Sequence, residues 1–370
     1  MEYQELKECA KYSNLRTSTF TKDTYISTEN MLPNKGGVTS IDSIPTCKTM
    51  AKYEPADILI SNIRPYFCKI WFATREGGCS NDVLVIKTKK ELYPRFLYYV
   101  LSDKNFFNYA TITSKGTKMP RGNKNAIMKY LVPKISPVTQ QKIASILSVY
   151  DRLIESNTRR IRLLEQMAEN LYKEWFVRFR FPEHEKVEMV NGLPKGWKIN
   201  SLKEICEFKR GRNITSAEMC DGIIQVISAG VAPSGYHNKA NVHGVSVTMS
   251  SSGANAGYIS IHYDDIWAAD CSYISEKETE DIYYVYELLN NIRQVINNFQ
   301  IGAAQPHVYP KDINRIKTCV PPKELRIKAN TNLSKIHKEI HKLYKQNQLL
   351  THQRDLLLPR LMSGKLEVKS

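Results

Sequence analysis

The stretch IASILSVYDRLIESNTRRIRLLEQMAENL, residues 143–171, decides the fold. Within it Ile143, Ile146, Tyr150, Leu153, Asn157, Arg160, Leu164, Met167 and Leu171 follow alternating steps of three and four, the seam of a coiled coil. The same stepping returns 190 positions later in Leu333, Ile336, Ile340, Leu343, Asn347, Leu350, Arg354, Leu357 and Leu361. Seven of the nine residues in each set are apolar, where a chain 42% apolar would give about four. The middle residue of both sets is Asn, and a buried Asn at a seam position fixes register at some cost in stability. Leu147, Ile154 and Ile161 widen the first stripe, enough to meet a further partner. No Gly or Pro interrupts residues 144–181 or 325–358; Pro137 and Pro321-Pro322 precede the two segments, and Phe181-Pro182 and Pro359 mark their ends. About 35 residues at roughly 1.5 Å each give a rod of roughly 50 Å, more than a small domain spans. The expectation is two long helices packed as an antiparallel coiled coil.

Further matches keep nearly the same offset. Leu6-Lys7-Glu8 recurs as Leu202-Lys203-Glu204, Asp82 as Asp270, and Gly116, Pro120 and Ile127 as Gly302, Pro306 and Ile313. Their shared order points to a duplicated unit with a pseudo-two-fold internal repeat. The expected layout is a first globular domain at 1–135, a spacer helix at 136–181, a linker and second globular domain at 182–320, and a second spacer helix with its tail at 321–370. The globular parts read as α+β. Strands are expected at Asp57–Ile63, Val83–Ile86, Leu131–Val132, Gly222–Ile227, Val245–Met249 and Tyr273–Ile274. Helices are expected at Tyr98–Leu101 with Phe106-Phe107 and at Val285–Phe299.

Composition narrows the function. The 370 residues suit two or three domains, and their 42% apolar content argues against disorder. The N-terminus lacks the apolar core of a signal peptide and no apolar run reaches bilayer length, so a cytosolic protein is expected. The eight cysteines form no C-x-x-C pair and are expected to be free and buried. A net charge of +16 points to a polyanion, most often nucleic acid. That charge is uneven: +9 over 1–135, +3 over 136–180, −3 over 181–320 and +7 over 321–370.

Two loops in each half have the chemistry to meet DNA. Ser61-Asn62-Ile63-Arg64 and Ser250–Gly257 are small, polar and follow a strong strand, which allows close approach to phosphates or base edges. Lys115–Lys124 and Gly302–His307 form the second pair. Arg grips guanine, and Asn or Gln grips adenine, through paired hydrogen bonds. The candidate contacts are Asn62, Arg64, Lys115, Thr117, Lys118, Arg121 and Lys124 in the first half. In the second they are Arg210, Arg212, Asn213, Ser251, Asn255, Gln305 and His307, with Arg210-Gly211-Arg212-Asn213 a cationic turn in an acidic half.

No catalytic pattern is present. There is no G-x-x-x-x-G-K-[ST] loop and no Asn-Pro-Pro-aromatic or Asp-Pro-Pro-aromatic tetrapeptide. His337 and His341 stand four apart on the second helix, but polar residues flanking a seam explain them better than a metal site does.

The chain resembles the specificity subunits of type I restriction-modification systems over nearly its whole length. The resemblance rests on Gln140-Gln141-Lys142-Ile143-Ala144-Ser145-Ile146-Leu147, Asn170-Leu171-Tyr172-Lys173-Glu174-Trp175-Phe176, Asn191-Gly192-Leu193-Pro194-Lys195-Gly196-Trp197 and the run from Gln353 to Leu366. It implies a non-catalytic subunit whose two recognition domains, held apart by the helices, each read half of a gapped duplex DNA target. It also implies two modification subunits bringing S-adenosylmethionine, and restriction subunits using ATP and Mg²⁺, with no cofactor on this chain. Domains about 50 Å apart would meet DNA roughly 15 base pairs apart, at about 3.4 Å each. Unlike halves predict an asymmetric target.

Overall fold

The computed structural model describes residues 2–41, 43–44, 46, 48–298, 307–363 and 365–366. The chain divides into two units: residues up to Ser156 together with those from Asn347 onward, and residues 157–346. The two units part inside the long helices. The physical reason is packing: each helix buries part of its length in the core of a globular part. Ile143, Ala144 and Leu147 join Leu358 and Leu361 in the first unit's core, while Ala168, Tyr172, Ala329 and Leu333 belong to the second's.

The helices run over Pro137–Tyr172, with a π-helical turn at Lys173–Val177, and over Lys323–Met362. Pro359 lies inside the second helix and does not end it. Its missing N–H forgoes a single helical hydrogen bond, and only the final turn follows it. Within each unit the two helical segments run antiparallel. In the first, Asp151 meets Arg354 at 2.7 Å while Ile143 and Leu147 pack with Leu358 and Leu361. In the second, Asn157 donates to Gln346 at 3.2 Å, Arg160 to Glu339 at 3.2 Å, and Ile161 packs with Ile340 and Leu343.

The buried stripe of the first helix is rotated from the expected seam. Asn157 and Ile143 are buried, but Leu153 is 44% exposed and Met167 and Arg160 are at the surface. Leu147, Ile161 and Ala168, which share a seven-residue repeat with the half-buried Ile154, are buried instead. The globular part of each unit covers a flank of the helix, which pulls the apolar stripe toward it. Ile146, Tyr150, Leu164 and Leu171 are half-buried, as are Ile336, Asn347, Leu350 and Leu357 on the second helix; Leu333, Ile340 and Leu343 are buried.

Each globular part repeats one plan. In the first unit an antiparallel sheet has the order Ala10–Tyr12, Val83–Thr88, Ile58–Ser61, Ile70–Phe72. In the second the order is Lys209–Arg210, Cys271–Ser275, Ser246–Ser250, Ile259–His262. A second sheet containing one parallel pair, four-stranded in the first unit and three-stranded in the second, packs beside each: Tyr25–Ile26 with Gly77–Cys79, and Ile224–Ile227 with Ile266–Ala268. Helices follow at Pro94–Ser102 with Lys104–Ile112, and at Ile282–Asn291 with Arg293–Asn297. A short antiparallel clasp closes each part: Tyr3–Glu5 on Leu131–Pro133 and Lys198–Ser201 on Lys317–Val320. Phe299, Gly302 and Pro306 lie outside the described residues. Among those described the cysteines are free, but against the expectation of burial Cys220 is exposed, in an irregular surface segment, and Cys68 and Cys319 are half-buried.

Candidate nucleic-acid interface

In the first unit the strand Ile58–Ser61 ends where Asn62 N donates to Asp82 O at 2.8 Å. Gly122 N then donates to Asn62 O at 3.0 Å and Arg64 N to Pro120 O at 2.8 Å. Ile63 bridges Arg121, and Arg121 and Lys115 exchange two backbone hydrogen bonds of 2.9 Å each. The loops at 61–64 and 115–124, far apart in sequence, are thus one knitted ledge. Gly116 turns its tip at φ +91°, a left-handed conformation that favours glycine. A Cβ on Gly122 would come within 2.8 Å of Asn62 Oδ1, so a larger residue there would have to displace the Asn62 side chain.

The ledge presents cations. Lys115, Lys118, Arg121 and Lys124 are exposed, as is Thr117. Arg121 reaches Asp82 at 3.3 Å; Lys115, Lys118 and Lys124 have no carboxylate partner among the described residues. Asn62, at 8% exposed, does not present its side chain at the surface. It serves through its main chain, and its Oδ1 is buried without a partner. Arg64 is half-buried at φ +49° and begins a turn that puts Tyr66 and Phe67 at the surface, ring centroids 4.8 Å apart. Asn123 caps the following helical turn, accepting from Asn125 N and Ala126 N at 3.1 and 3.3 Å.

The second unit builds the same corner from other residues. Ser252 bridges His307, and Val308 N donates to Ser251 O at 3.0 Å. Asp270 occupies the place of Asp82; Ser252 Oγ donates to it at 2.5 Å and Arg210 pairs with it. Arg212 N donates to Ala268 O at 2.9 Å, and Arg212 O accepts from Trp267 Nε1 at 2.9 Å. A Cβ on Gly211, between the two arginines, would lie 2.3 Å from Ala269 O. Arg210, Arg212, Asn213 and Asn255 are exposed, His307 is half-buried and stacks on Tyr309, and Ser251 is fully buried. Gln305 lies outside the described residues.

The first unit thus gathers its two candidate loops at one corner, the second brings His307 to the 250–257 loop, and both corners are organised by an aspartate, Asp82 or Asp270, that the sequence offers only as a repeat marker. The shared order of Asp82 and Asp270 within the repeat is the signal for that role. Tyr66 and Phe67 carried none. The described residues contain no group of three His, Cys, Asp or Glu placed to hold a metal. His337 instead is buried, 2.9 Å from Tyr263 OH and 3.3 Å from Glu287 Oε1, and His341 stacks on Tyr263 and faces Asp264. No described helix is long and apolar enough to cross a membrane.

A family model described as the type I restriction modification DNA specificity domain matches residues 3–166 and again 194–355. The chain is 26% identical to the type I restriction enzyme MjaIX specificity subunit of Methanocaldococcus jannaschii, over 76% of this chain and 71% of that one. It is 23% identical to the HindI specificity subunit of Haemophilus influenzae, over 92% of this chain and 94% of that one. Its fold is similar to the crystal structure of a type I restriction-modification S subunit from M. genitalium, with TM-score 0.57 and 18% identity, covering 100% of this chain and 96% of that one.

Proposed function

The chain belongs to the type I restriction modification DNA specificity family, and from that premise we propose that it reads an asymmetric, two-part DNA target, one part with each unit. It is a specificity subunit with no catalytic role of its own. The observation that supports the two-part reading is the repeated corner, in which one Asp-anchored framework carries two different sets of surface side chains. Lys118 and Lys124 at the first corner, and Arg212 at the second, supply phosphate contacts; Arg121, Asn213, Asn255 and His307 stand beside them for base edges. The acidic balance of 181–320 is met by two modification subunits that share the grip on DNA and bring S-adenosylmethionine. Restriction subunits bring ATP and Mg²⁺. Leu153, Leu163 and Met167, exposed on the first helix, offer apolar surface for such partners.

Exchange of residues 1–135 for those of another family member tests this reading. The chimaera is assembled with its modification subunits and the methylated adenines of the host genome are sequenced. A change confined to one part of the methylated sequence is expected. An unchanged sequence would favour an adaptor without a reading role, and DNA modification by the purified chain alone would favour an enzyme.

A further inference from the structure

Strand register aligns the two units residue by residue. Ser61 pairs with Val83 at the end of one central strand, and Ser250 with Cys271 at the end of the other. Counting back, Leu59 of the first unit corresponds to Thr248 of the second, and Trp71, the partner of Leu59, corresponds to Ser260, the partner of Thr248. One rung further, Ala73 opposite Asp57 corresponds to His262 opposite Ser246.

In the first unit this face is filled. Leu59 and Ala73 are fully buried, and Trp71 meets Tyr53 edge-on with centroids 5.7 Å apart; Ile26, Cys79 and Val85 complete an apolar layer between the two sheets. In the second unit the apolar layer shrinks to Ile227, Val242, Ile266, Ala268 and Cys271. Beside it, where Trp71 has become Ser260, lies a cavity of about 190 Å³. Gln225, Thr248, Ser250, Tyr258, Ser260 and His262 line it, and the exposed Gly230–Pro233 loop forms its mouth.

Folding does not require this lining, since the first unit closes the same space with apolar side chains, and buried polar groups cost stability unless they are bonded. The groups present are neutral donors and acceptors. His262 Nε2 and Thr248 Oγ1 are 2.8 Å apart, and burial pushes the His262 imidazole down to about 4, so it is uncharged near neutrality. The Oγ of Ser246, on the same face, is buried without a partner. The cavity also adjoins the proposed reading corner: Ser250 Oγ donates to Ala229 O at 2.8 Å, and two residues on Ser252 holds Asp270. A cavity of about 150 Å³ is enough to admit benzene, so this one has room for a heterocycle.

We propose that the cavity between the sheets of the second unit is a binding site for a single nucleobase. The site deepens the two-part reading proposed above and rests on it for its biological use. The same ring chemistry comes from two sources: a base turned out of bound DNA, or a free nucleoside.

The test uses the full-length chain and a variant, Thr248→Leu/Ser260→Trp, that recreates the first unit's filling. Adenosine, guanosine, cytidine and thymidine are titrated against both by ligand-observed NMR. In parallel, the chain assembled with its modification subunits is bound to its selected target carrying 2-aminopurine at successive positions, whose fluorescence rises on unstacking. At least one source is expected to engage the natural chain, with engagement weakened about tenfold or more in the filled variant while its thermal midpoint holds or rises. Nucleoside binding assigns the free ligand and 2-aminopurine enhancement assigns the extrahelical base. Should the double variant not fold, Thr248→Val, which keeps volume and removes the hydroxyl, is expected to weaken engagement several-fold. The proposal is overturned if neither source engages, or if the folded variant engages as the natural chain does. An assembled complex that selects no target defeats the two-part reading alone, and the nucleoside titration still decides the cavity.

Discussion

Asp151 and Arg354, 203 positions apart, meet at 2.7 Å between the two long helices of the first unit. Tyr99 OH donates to the other oxygen of Asp151 at 2.5 Å, so one carboxylate ties both helices to the globular part. Arg354 also reaches Asp355 at 2.9 Å, and Lys35 reaches Asp355 at 3.0 Å. Burial opposes the charge on Arg354, but Asp151 and Asp355 outweigh it and hold the guanidinium above its usual range.

Breaking that pair leaves the half-buried Arg354 with only Asp355 to compensate its charge. Asp151→Ala is expected to cost about 1–3 kcal/mol of stability, measured by chemical unfolding, because removing one partner of a partly buried pair costs more than the pair itself is worth. The double variant Asp151→Leu/Arg354→Met removes both charges and is expected to recover most of the loss.

Asn157 is buried at the helix contact of the second unit and donates to the exposed Gln346. Asn157→Leu places an apolar side chain there and frees Gln346 to water. Stability is expected to rise by about 1–2 kcal/mol, read as an increased midpoint of unfolding.

Lys118 is exposed, whereas Arg121 is held by Asp82. In the assembled complex Lys118→Ala is expected to weaken DNA binding evenly across sequences and lower the salt slope by about one. Arg121→Ala is expected to relax one position of the methylated sequence. Unaltered methylation and salt dependence in both variants would remove this ledge from the interface.

Acid is expected to loosen the second unit through His262. Its imidazole is held at about 4 when folded and returns to about 6.5 when unfolded, so the unfolded state binds the extra proton between those values. Stability from this group is complete above pH 6.5 and is lost as pH falls toward 4. Asp355 acts lower: burial raises its pKa, but Arg354 and Lys35 outweigh this and depress it, so its contribution is lost only as pH falls below the usual carboxylate range. Thermal midpoints from pH 7 to 4 should therefore fall less steeply in His262→Gln than in the natural chain.

Gly211 sits where a Cβ would strike Ala269 O at 2.3 Å. Gly211→Ala must push the Arg210–Arg212 turn outward, and is expected to destabilise the second unit by about 1–3 kcal/mol. Methylation of the part read by that unit should weaken while the other part is unchanged.

The heptad steps, the repeated Asn157 and Asn347 and the near-constant offsets were enough to establish two long helices and a duplicated α+β unit, because helical periodicity and chain order are local properties written directly in residue spacing. The helix face actually buried was not local: Leu153 and Leu147 satisfy the same three-and-four stepping, and only packing against the globular part decides that Leu147 goes inside. The loops at 61–64 and 115–124 could each be chosen for their chemistry, yet their joining through Arg64 and Pro120, and the role of Asp82 beside them, required the chain to fold back on itself. The replacement of Trp71 by Ser260 is likewise silent in sequence, where Ser260 reads as one more polar strand residue. A cavity is a property of what several distant strands fail to fill, and that is settled only when the strands are brought face to face.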